Sequence, residues 1–192
     1  MHPAFFYLPG ERLALPELAA ARLDGTVVEV GEGYIPADLI EGPDVRAASL
    51  VSLLPRDTAI AGPSAAWVHG AGDRPPARLH VRRAVDRRVR LQSGSRLVFH
   101  DTAVPASDLV SLDGVAVTAP ARTMTDLALG LHRDPTLLDW TRGLAAAVPG
   151  TVDDAIVRLA SSSRVPGARR ALSTLERLRD LAGAEDQDDV TR

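Results

Sequence analysis

The segment between Arg78 and Arg90 carries the side chains best suited to binding chemistry. Residues 74–96 contain eight arginines and a single acidic residue, Asp86, so their net charge is +7. An arginine guanidinium donates paired hydrogen bonds to phosphate or carboxylate and stays charged at neutral pH. The segment therefore predicts an anion-binding surface. The residues that we assign to nucleic-acid binding are Arg78, Arg82, Arg83, Arg87, Arg88 and Arg90.

Part of this segment has the alternation of a β-strand. In the stretch R-L-H-V-R that starts at Arg78, apolar residues alternate with polar ones, which places the two sets on opposite faces of a strand. The apolar pair is Leu79 and Val81, and the polar set is Arg78, His80 and Arg82. Guanidinium groups gathered on one face neutralise several phosphates, and such binding weakens steeply as salt rises. No aromatic residues are interleaved for base stacking.

The distribution of charge leaves a second interpretation open. Residues 1–44 carry eight acids and two arginines, and the stretch from Asp180 carries five acids against Arg192. The chain is thus acidic, then basic, then acidic. The arginines bind an external anion on one interpretation, and pair with acidic segments or an acidic partner protein on the other.

Two residue types are missing, and their absence excludes several kinds of catalytic site. The chain contains no Cys and no Lys, which excludes disulfides, thiol catalysis, a Walker A loop and a Schiff-base lysine. The five histidines lack metal-ligand spacing, although His80 and His100 are candidates for neighbours on adjacent strands. No Gly-x-Ser-x-Gly elbow is present. We therefore predict no catalytic residue, no metal site and no cofactor, and we expect a protein that is not an enzyme.

The stretch from Asp113 to Leu127 predicts a junction between a strand and a helix. Its Asp-Gly dipeptide favours a tight turn, and the alternating valines that follow are typical of a short strand. Thr118 and Pro120 then resemble a helix start. Arg122 and Asp126 are four residues apart, so they share a helix face and are able to pair. We take Thr118, Pro120, Arg122 and Asp126 as a structural signature, with the last two as an internal clamp.

The elements that would position these residues give an α+β fold. The N-terminal elements are a helix over 15–23, a hairpin of strands 26–30 and 34–35, and a helix from Pro43 to Leu54. A short helix over 63–70 precedes strands at 79–82, 89–92, 97–100, 109–112 and 115–117. Helices are expected near 120–130, 136–148, 152–162 and 168–182. The expected sheet is small and mostly antiparallel, and the C-terminal half is helical.

This order of elements predicts two domains and a tail. Residues 1–55 form an abbreviated winged-helix-like part with a connecting helix, and residues 56–183 form a mixed α/β domain. Residues 184–192 form an acidic tail that we expect to be disordered. No apolar run approaches the ~20 residues that cross a bilayer. We therefore expect a cytoplasmic protein with no membrane partner.

With these motifs located, the chain resembles the actinobacterial AbiEi-type antitoxins, the antitoxin half of abortive-infection (type IV) toxin–antitoxin systems. The resemblance covers about residues 15–180. Its N-terminal part is the helix and hairpin E-L-A-A-A-R-L-D-G-T-V-V-E-V-G-E-G-Y-I-P. It continues through A-G-P-S-A-A-W-V-H-G, A-R-L-H-V-R-R, D-G-V-A-V-T-A-P-A-R-T-M-T-D-L-A and V-P-G-A-R-R-A-L.

The resemblance implies a DNA-binding winged helix followed by an α/β part that opposes the toxin. It also implies autorepression of the operon and a nucleotidyltransferase-like toxin as partner, and we expect a homodimer to be possible. Some relatives fuse this module to a Vsr-like endonuclease domain. The predicted reader of DNA is itself acidic here, so we expect the arginine-rich segment to supply most of the phosphate contacts. The alternative is a non-catalytic module that binds an acidic protein and no DNA.

Overall fold

The chain begins with a helix and a β-hairpin, as the sequence predicts. The computed structural model describes residues 5–90, 94–161 and 165–189. Helix α1 runs Leu15–Leu23, and the antiparallel strands β1 (Val27–Val30) and β2 (Gly33–Pro36) follow it. The Glu17 carboxylate accepts a hydrogen bond from the Ala14 N–H at 2.6 Å, which satisfies a free donor at the start of α1. Leu18 is fully buried beside the hairpin residues Val27 and Tyr34, so helix and hairpin form one packed unit.

A second helix connects this unit to the sheet. Helix α2 runs Pro43–Ser49 and is followed by a separate 3₁₀ turn, Val51–Leu53. The prediction of a helix starting at Pro43 is confirmed, and the α-helix is shorter than expected because the chain tightens after Ser49. The Arg46 guanidinium, 5.0 Å from the Trp67 ring centroid, also donates to the Trp67 carbonyl oxygen at 2.7 Å. The connecting helix is thereby held against the next helix of the fold.

A five-stranded sheet forms the centre of the protein. The strands are β3 (Thr58–Ile60), β4 (Leu79–Arg83), β5 (Leu97–Ala103), β6 (Leu109–Leu112) and β7 (Val115–Thr118), in the order β5-β4-β3-β7-β6. Helix α3 (Gly62–Val68) follows β3 and carries the fully buried Trp67. The α+β class is confirmed. This sheet is mixed rather than mostly antiparallel, since the β4–β5 and β3–β7 pairs are both parallel.

The connection between β4 and β5 also differs from the prediction. The predicted strand over 89–92 is wrong at its start, because Val89 and Arg90 have irregular backbone, and Leu91 and Gln92 lie outside the described residues. The run R-R-V-R offers only one apolar side chain to a core. Residues 97–103 take the place beside β4 instead, and Leu97 and Phe99 pack against the core of the sheet.

The hairpin of β6 and β7 is confirmed as predicted. Asp113 and Gly114 both have positive φ, at 50° and 84°, which is the backbone of the tight turns that suit the twist of a two-stranded hairpin. Strand β7, which follows this turn, leads directly into the next helix at Pro120. This is the strand-to-helix junction that the sequence predicts.

Four helices complete the C-terminal half. They are α4 (Pro120–Gly130), α5 (Leu137–Ala147), α6 (Thr151–Ala160) and α7 (Ala168–Asp189), which confirms the predicted helical half. They bury their own core, which includes Met124, Leu144, Leu159 and Leu175. Helix α7 continues through residues 184–189, where the sequence predicts a disordered tail, and residues 190–192 lie outside the described part.

The main core joins the N-terminal part to the sheet. Val30, Ile35 and Val45 belong to the same buried cluster as the sheet residues Val81 and Val117. The proposed boundary at residues 55 and 56 stays a prediction, since the two sides share this core. Across the described residues, no helix is both long enough and apolar enough to cross a membrane.

Candidate functional site

The six predicted binding arginines do not all reach one surface. Arg82 and Arg83 keep only 18% and 14% of their side chains exposed. Arg82 Nε lies 3.3 Å from Asp126 Oδ2. Arg83 Nε lies 3.6 Å from Asp101 Oδ1, and Arg83 Nη1 donates to the Asp86 carbonyl oxygen at 2.9 Å. Both guanidinium groups are therefore mostly buried, and their contacts are with groups of the protein itself.

The other four arginines are exposed. Arg78 Nη2 donates to the Leu97 carbonyl oxygen at 2.7 Å, and Arg87 Nη2 donates to Asp57 Oδ2 at 2.5 Å. Arg88 and Arg90 are exposed and have neither a hydrogen bond nor an ion pair with any described residue. The accessible part of the predicted surface consequently consists of Arg78, just before β4, and of the connection after β4, rather than of β4 itself.

The packing of β4 explains why Arg82 is mostly buried while other arginines of the segment are exposed. Leu79 and Val81 are buried in the main core, which confirms the predicted alternation, and His80 and Arg82 lie on the opposite face. That opposite face is not free surface, because helix α4 lies beside it and places Asp126 against Arg82. The sequence places Arg82 on the correct face, but the partner of that face is set by a helix far along the chain.

The acidic start of the chain neutralises part of the arginine-rich segment. Arg96 is ion-paired with Glu32, which lies in the turn of the N-terminal hairpin. Arg87 makes its pair with Asp57, just before β3. Together with Arg82 and Arg83, four arginines of residues 74–96 therefore pair with acids of the protein itself, and one of these acids, Glu32, belongs to the acidic N-terminal segment.

The predicted clamp is the centre of a larger ion-pair network. Arg122 Nε donates to Asp126 Oδ2 at 3.0 Å, as its spacing predicts, and Arg122 Nη1 donates to Asp108 Oδ2 at 2.7 Å. Asp108 also accepts from Arg158, and Asp126 also pairs with Arg82. The chain of contacts Arg82–Asp126–Arg122–Asp108–Arg158 alternates in charge and ties β4, α4 and α6 to the turn before β6.

Burial and pairing set the electrostatics of this network. Burial acts to lower the pKa of Arg122, but Asp126 and Asp108 outweigh it, so the Arg122 pKa is raised. Burial acts to raise the pKa of Asp108, yet hydrogen bonds from Arg158 and Arg122 hold that pKa below its usual value. For Arg82, burial is the largest influence and lowers its pKa. The shifts of Arg122 and Asp108 both favour the charged forms, so these two groups are ionised at neutral pH.

The remaining signature residues hold the junction itself. Pro120 begins α4, as predicted, but the residue before the helix is Ala119, and Thr118 does not cap it. The hydroxyls of Thr118 and Thr123 lie 2.7 Å apart, and His69 Nε2 donates to the Thr118 carbonyl oxygen at 2.7 Å. Thr118 is fully buried, and the Thr123 hydroxyl satisfies its hydroxyl group there.

Sequence reasoning missed Asp108 and Arg158. Asp108 lies 14 residues before Arg122, and Arg158 lies 50 residues after Asp108. No local spacing connects them, because they meet only when α6 packs on α4. The turn that carries Asp108 is a short 3₁₀ segment, Ala106–Asp108, and nothing in its letters signals a buried carboxylate.

Two histidines meet on the outer face of β4 and β5. The rings of His80 and His100 are stacked with centroids 5.7 Å apart, as their predicted neighbouring strands suggest. Burial, then His100 and Arg78, lower the pKa of His80 to about 4, and burial also lowers that of His100. Both rings are therefore neutral at pH 7. No group of three potential metal ligands occurs among the residues that the structure describes.

Comparison with known proteins assigns the larger part of the chain to a protein family. Residues 58–177 match the family model of the AbiEi antitoxin C-terminal domain. The chain belongs to this family. The antitoxin domain begins with β3, ends within α7, and contains the six predicted arginines and the whole ion-pair network. The N-terminal helix, hairpin and α2 lie outside the matched range.

One solved structure is also similar to the chain that carries this antitoxin domain. It is the crystal structure of the RV2827C protein from Mycobacterium tuberculosis, with 18% sequence identity. The similarity covers 82% of this chain and 68% of that chain, with a TM-score of 0.33. No curated protein sequence matches the chain.

Proposed function

We propose that this protein is an antitoxin that counteracts a nucleotidyltransferase-like toxin and represses its own operon by binding operator DNA. The match of residues 58–177 to an antitoxin domain carries the first half of this proposal. On this view the protein acts in the cytoplasm, where its operator lies, and it acts by binding rather than by catalysis. A homodimer would place two copies of its basic surface on one operator.

The basic surface supports the DNA-binding half. Arg78, Arg87, Arg88 and Arg90 are exposed, and Arg88 and Arg90 have no partner among the described residues. Phosphate contacts dominate the affinity of proteins for DNA. We therefore assign these four arginines to phosphate contact, and we give Arg82 and Arg83 the role of supporting residues that hold the strand in place.

The arginine surface also supports a second candidate function. Arg87 already binds the carboxylate of Asp57, and Arg96 that of Glu32, so these side chains form ion pairs with protein acids. A non-catalytic module that grips an acidic toxin would use the same chemistry without binding DNA. The two candidates differ in whether phosphate or carboxylate is the external partner.

A charge-matched pair of variants tests the DNA-binding proposal. The test protein carries Arg87→Ala, Arg88→Ala and Arg90→Ala, and the control carries Arg142→Ala, Arg169→Ala and Arg177→Ala. All six residues are exposed, so both proteins lose three positive charges from the surface. Mobility shift on the DNA upstream of the gene is then measured for both proteins over a range of salt concentrations.

The expected result separates local contact from net charge. Each lost phosphate contact lowers the slope of log K against log salt by about 0.9, so the test protein should lose up to about three units of slope. The control should keep the wild-type slope. Equal retention by test and control would contradict the assignment. Pull-down of the product of the neighbouring gene with the same proteins then asks whether these arginines bind a toxin instead.

A further inference from the structure

The connection after β4 carries its arginines on irregular backbone. Strand β4 ends at Arg83, and residues 84–90 form neither a helix nor a strand. The start of this connection is held in place, because Arg83 Nη1 donates to the Asp86 carbonyl oxygen at 2.9 Å. Further along, Arg88 and Arg90 are exposed and have no partner among the described residues. Their guanidinium groups are therefore available to an external anion.

Helix α1, which the winged-helix resemblance would place in the major groove, is poorly suited to that position. A recognition helix lies in the major groove and reads base edges through polar side chains. The exposed face of α1 instead carries Leu15, Ala19 and Leu23, spaced four residues apart, and Leu23 is 84% exposed. Arg22 is the only basic residue of α1, and it pairs with Glu29 at 3.9 Å. This face offers base edges almost no hydrogen-bonding group.

The charge of the other surfaces limits the contact with DNA further. Residues 1–44 carry eight acids against two arginines, so phosphates repel this part of the protein. Helix α7 has exposed arginines, but acids are interleaved with them, and Arg179 lies 3.7 Å from Asp153 and 3.6 Å from Asp180. Residues 87–90, R-R-V-R, hold three exposed arginines with no acid between them. The favourable contact is therefore confined to a short segment.

The widths of the two DNA grooves decide where a short irregular segment fits. The major groove is about 12 Å wide and admits a helix or a two-stranded ribbon, whereas the minor groove is about 6 Å wide. An extended chain advances at most about 3.6 Å per residue, so the Cα atoms of Arg88 and Arg90 lie within about 7 Å of each other. Two guanidinium groups this close can contact phosphates on both walls of the minor groove. A narrow minor groove also has an enhanced negative potential, which attracts arginine.

We propose that the connection after β4 binds the minor groove of A·T-rich DNA through Arg88 and Arg90. This inference rests on the proposed function, because it names the DNA that the basic surface recognises. The preference for A·T pairs comes from the narrow groove and from the absence of the guanine 2-amino group on its floor. Helix α1 reads no base, and the acidic N-terminal part stays clear of the phosphates. The operator should accordingly contain an A·T-rich tract.

Three short DNA duplexes of equal length test the groove assignment on the full-length protein. They differ only in a central tract of A·T, G·C or I·C pairs. Inosine is guanine without its 2-amino group, so an I·C pair presents the minor-groove pattern of A·T and the major-groove pattern of G·C. Fluorescence anisotropy measures the affinity for each duplex. The A·T and I·C tracts should bind at least about fivefold more tightly than the G·C tract, the low end of the usual effect of one unfavourable base pair.

Two charge-matched variants locate the preference. Arg88→Ala with Arg90→Ala should lower the ratio of A·T to G·C affinity to about one, because no guanidinium group then enters the groove. The control, Arg169→Ala with Arg177→Ala, loses the same charge from exposed positions of α7 and should keep the wild-type ratio. With the wild-type protein, netropsin, a ligand of the A·T minor groove, should displace the protein. Methyl green, a ligand of the major groove, should not.

The outcomes separate this inference from the function on which it rests. Equal affinity for the three tracts, still lowered by Arg88→Ala with Arg90→Ala, would leave DNA binding in place and overturn the minor-groove assignment. An I·C tract that binds as weakly as the G·C tract would place the contact in the major groove and overturn it as well. An A·T preference that only the control variant loses would move the site to α7. Binding to none of the duplexes at low salt, where phosphate contacts are strongest, would contradict the DNA-binding function itself.

Discussion

Replacing Arg122 with alanine tests whether the clamp of the structural signature stabilises the fold. Arg122 is 14% exposed and bridges two carboxylates that are 9% and 6% exposed, those of Asp126 and Asp108. The substitution removes a group that contacts both acids. It therefore separates the ion pair Arg82–Asp126, on β4 and α4, from the ion pair Asp108–Arg158, on the turn before β6 and on α6.

The expected loss follows from what remains of each half. Removing one partner of a buried ion pair costs about 3–5 kcal/mol when the other charge is left alone. Here Asp126 keeps Arg82 at 3.3 Å, and Asp108 keeps its bond from Arg158. We therefore expect the free energy of unfolding to fall by about 2–3 kcal/mol. For a chain of this length, that corresponds to a fall in Tm of roughly 6–9 °C.

Urea and thermal unfolding measure this loss, with Arg142→Ala as the control. Arg142 is an exposed arginine on α5, and its replacement should change the free energy of unfolding by less than about 0.5 kcal/mol. The same loss in both variants would refute the stabilising role of Arg122. The folded Arg122→Ala protein should still bind DNA. If the variant were instead as stable as the wild type but had lost toxin binding, Arg122 would belong to a surface that contacts the toxin.

The pH dependence of the same loss gives an independent check. The Asp108 pKa lies below its usual value in the folded protein, so its contribution is present above the ordinary carboxylate pKa. That contribution disappears as the pH falls through the folded-state pKa of Asp108. The difference between wild type and Arg122→Ala should shrink in that acidic range, and a constant difference would contradict the assigned partners.

Three further predictions concern single positions. Gly31→Ala should cost about 2–4 kcal/mol, because a Cβ there would lie 2.1 Å from Ser49 Oγ at a φ of +56°. Gly114→Ala, at positive φ but in open space, should cost only about 1 kcal/mol, and equal costs in urea unfolding would contradict the packing argument. The folded-state pKa of His80 is about 4 against 6.5 unfolded, so stability should fall by up to about 2 kcal/mol between pH 6.5 and 4. His80→Gln should remove this part of the pH dependence.

Local patterns in the sequence account for most of the elements. The Asp-Gly dipeptide at 113–114 predicts its hairpin turn because few residues adopt two successive positive φ angles easily. The helix starts at Pro43 and Pro120 follow from a residue whose missing N–H costs nothing in a first turn. The pairing of Arg122 with Asp126 follows from helical spacing alone. In each case the determining interaction spans only a few residues.

Patterns of this kind did not reveal how the strands pair or where the arginines go. Residues 97–103 form the strand beside β4 because Leu97 and Phe99 pack against the core. The arginine-rich run before them has too few apolar residues to do the same. Helix α4 then covers the outward face of β4 and turns Arg82 from a surface side chain into the end of a buried network. Both outcomes depend on the packing of segments far apart in sequence.

Some of the chemistry of this protein follows from its residue types alone. The absence of lysine and cysteine excludes lysine- and thiol-dependent catalysis, and the many arginines favour contacts with anionic groups. How those arginines are divided between surface and interior depends on the packing of distant segments. Arg88 and Arg90 are exposed, Arg87 forms an ion pair with Asp57, and Arg82 lies in a cleft that α4 partly covers. The composition sets the net charge of the chain, but the fold sets the solvent exposure of each charged side chain.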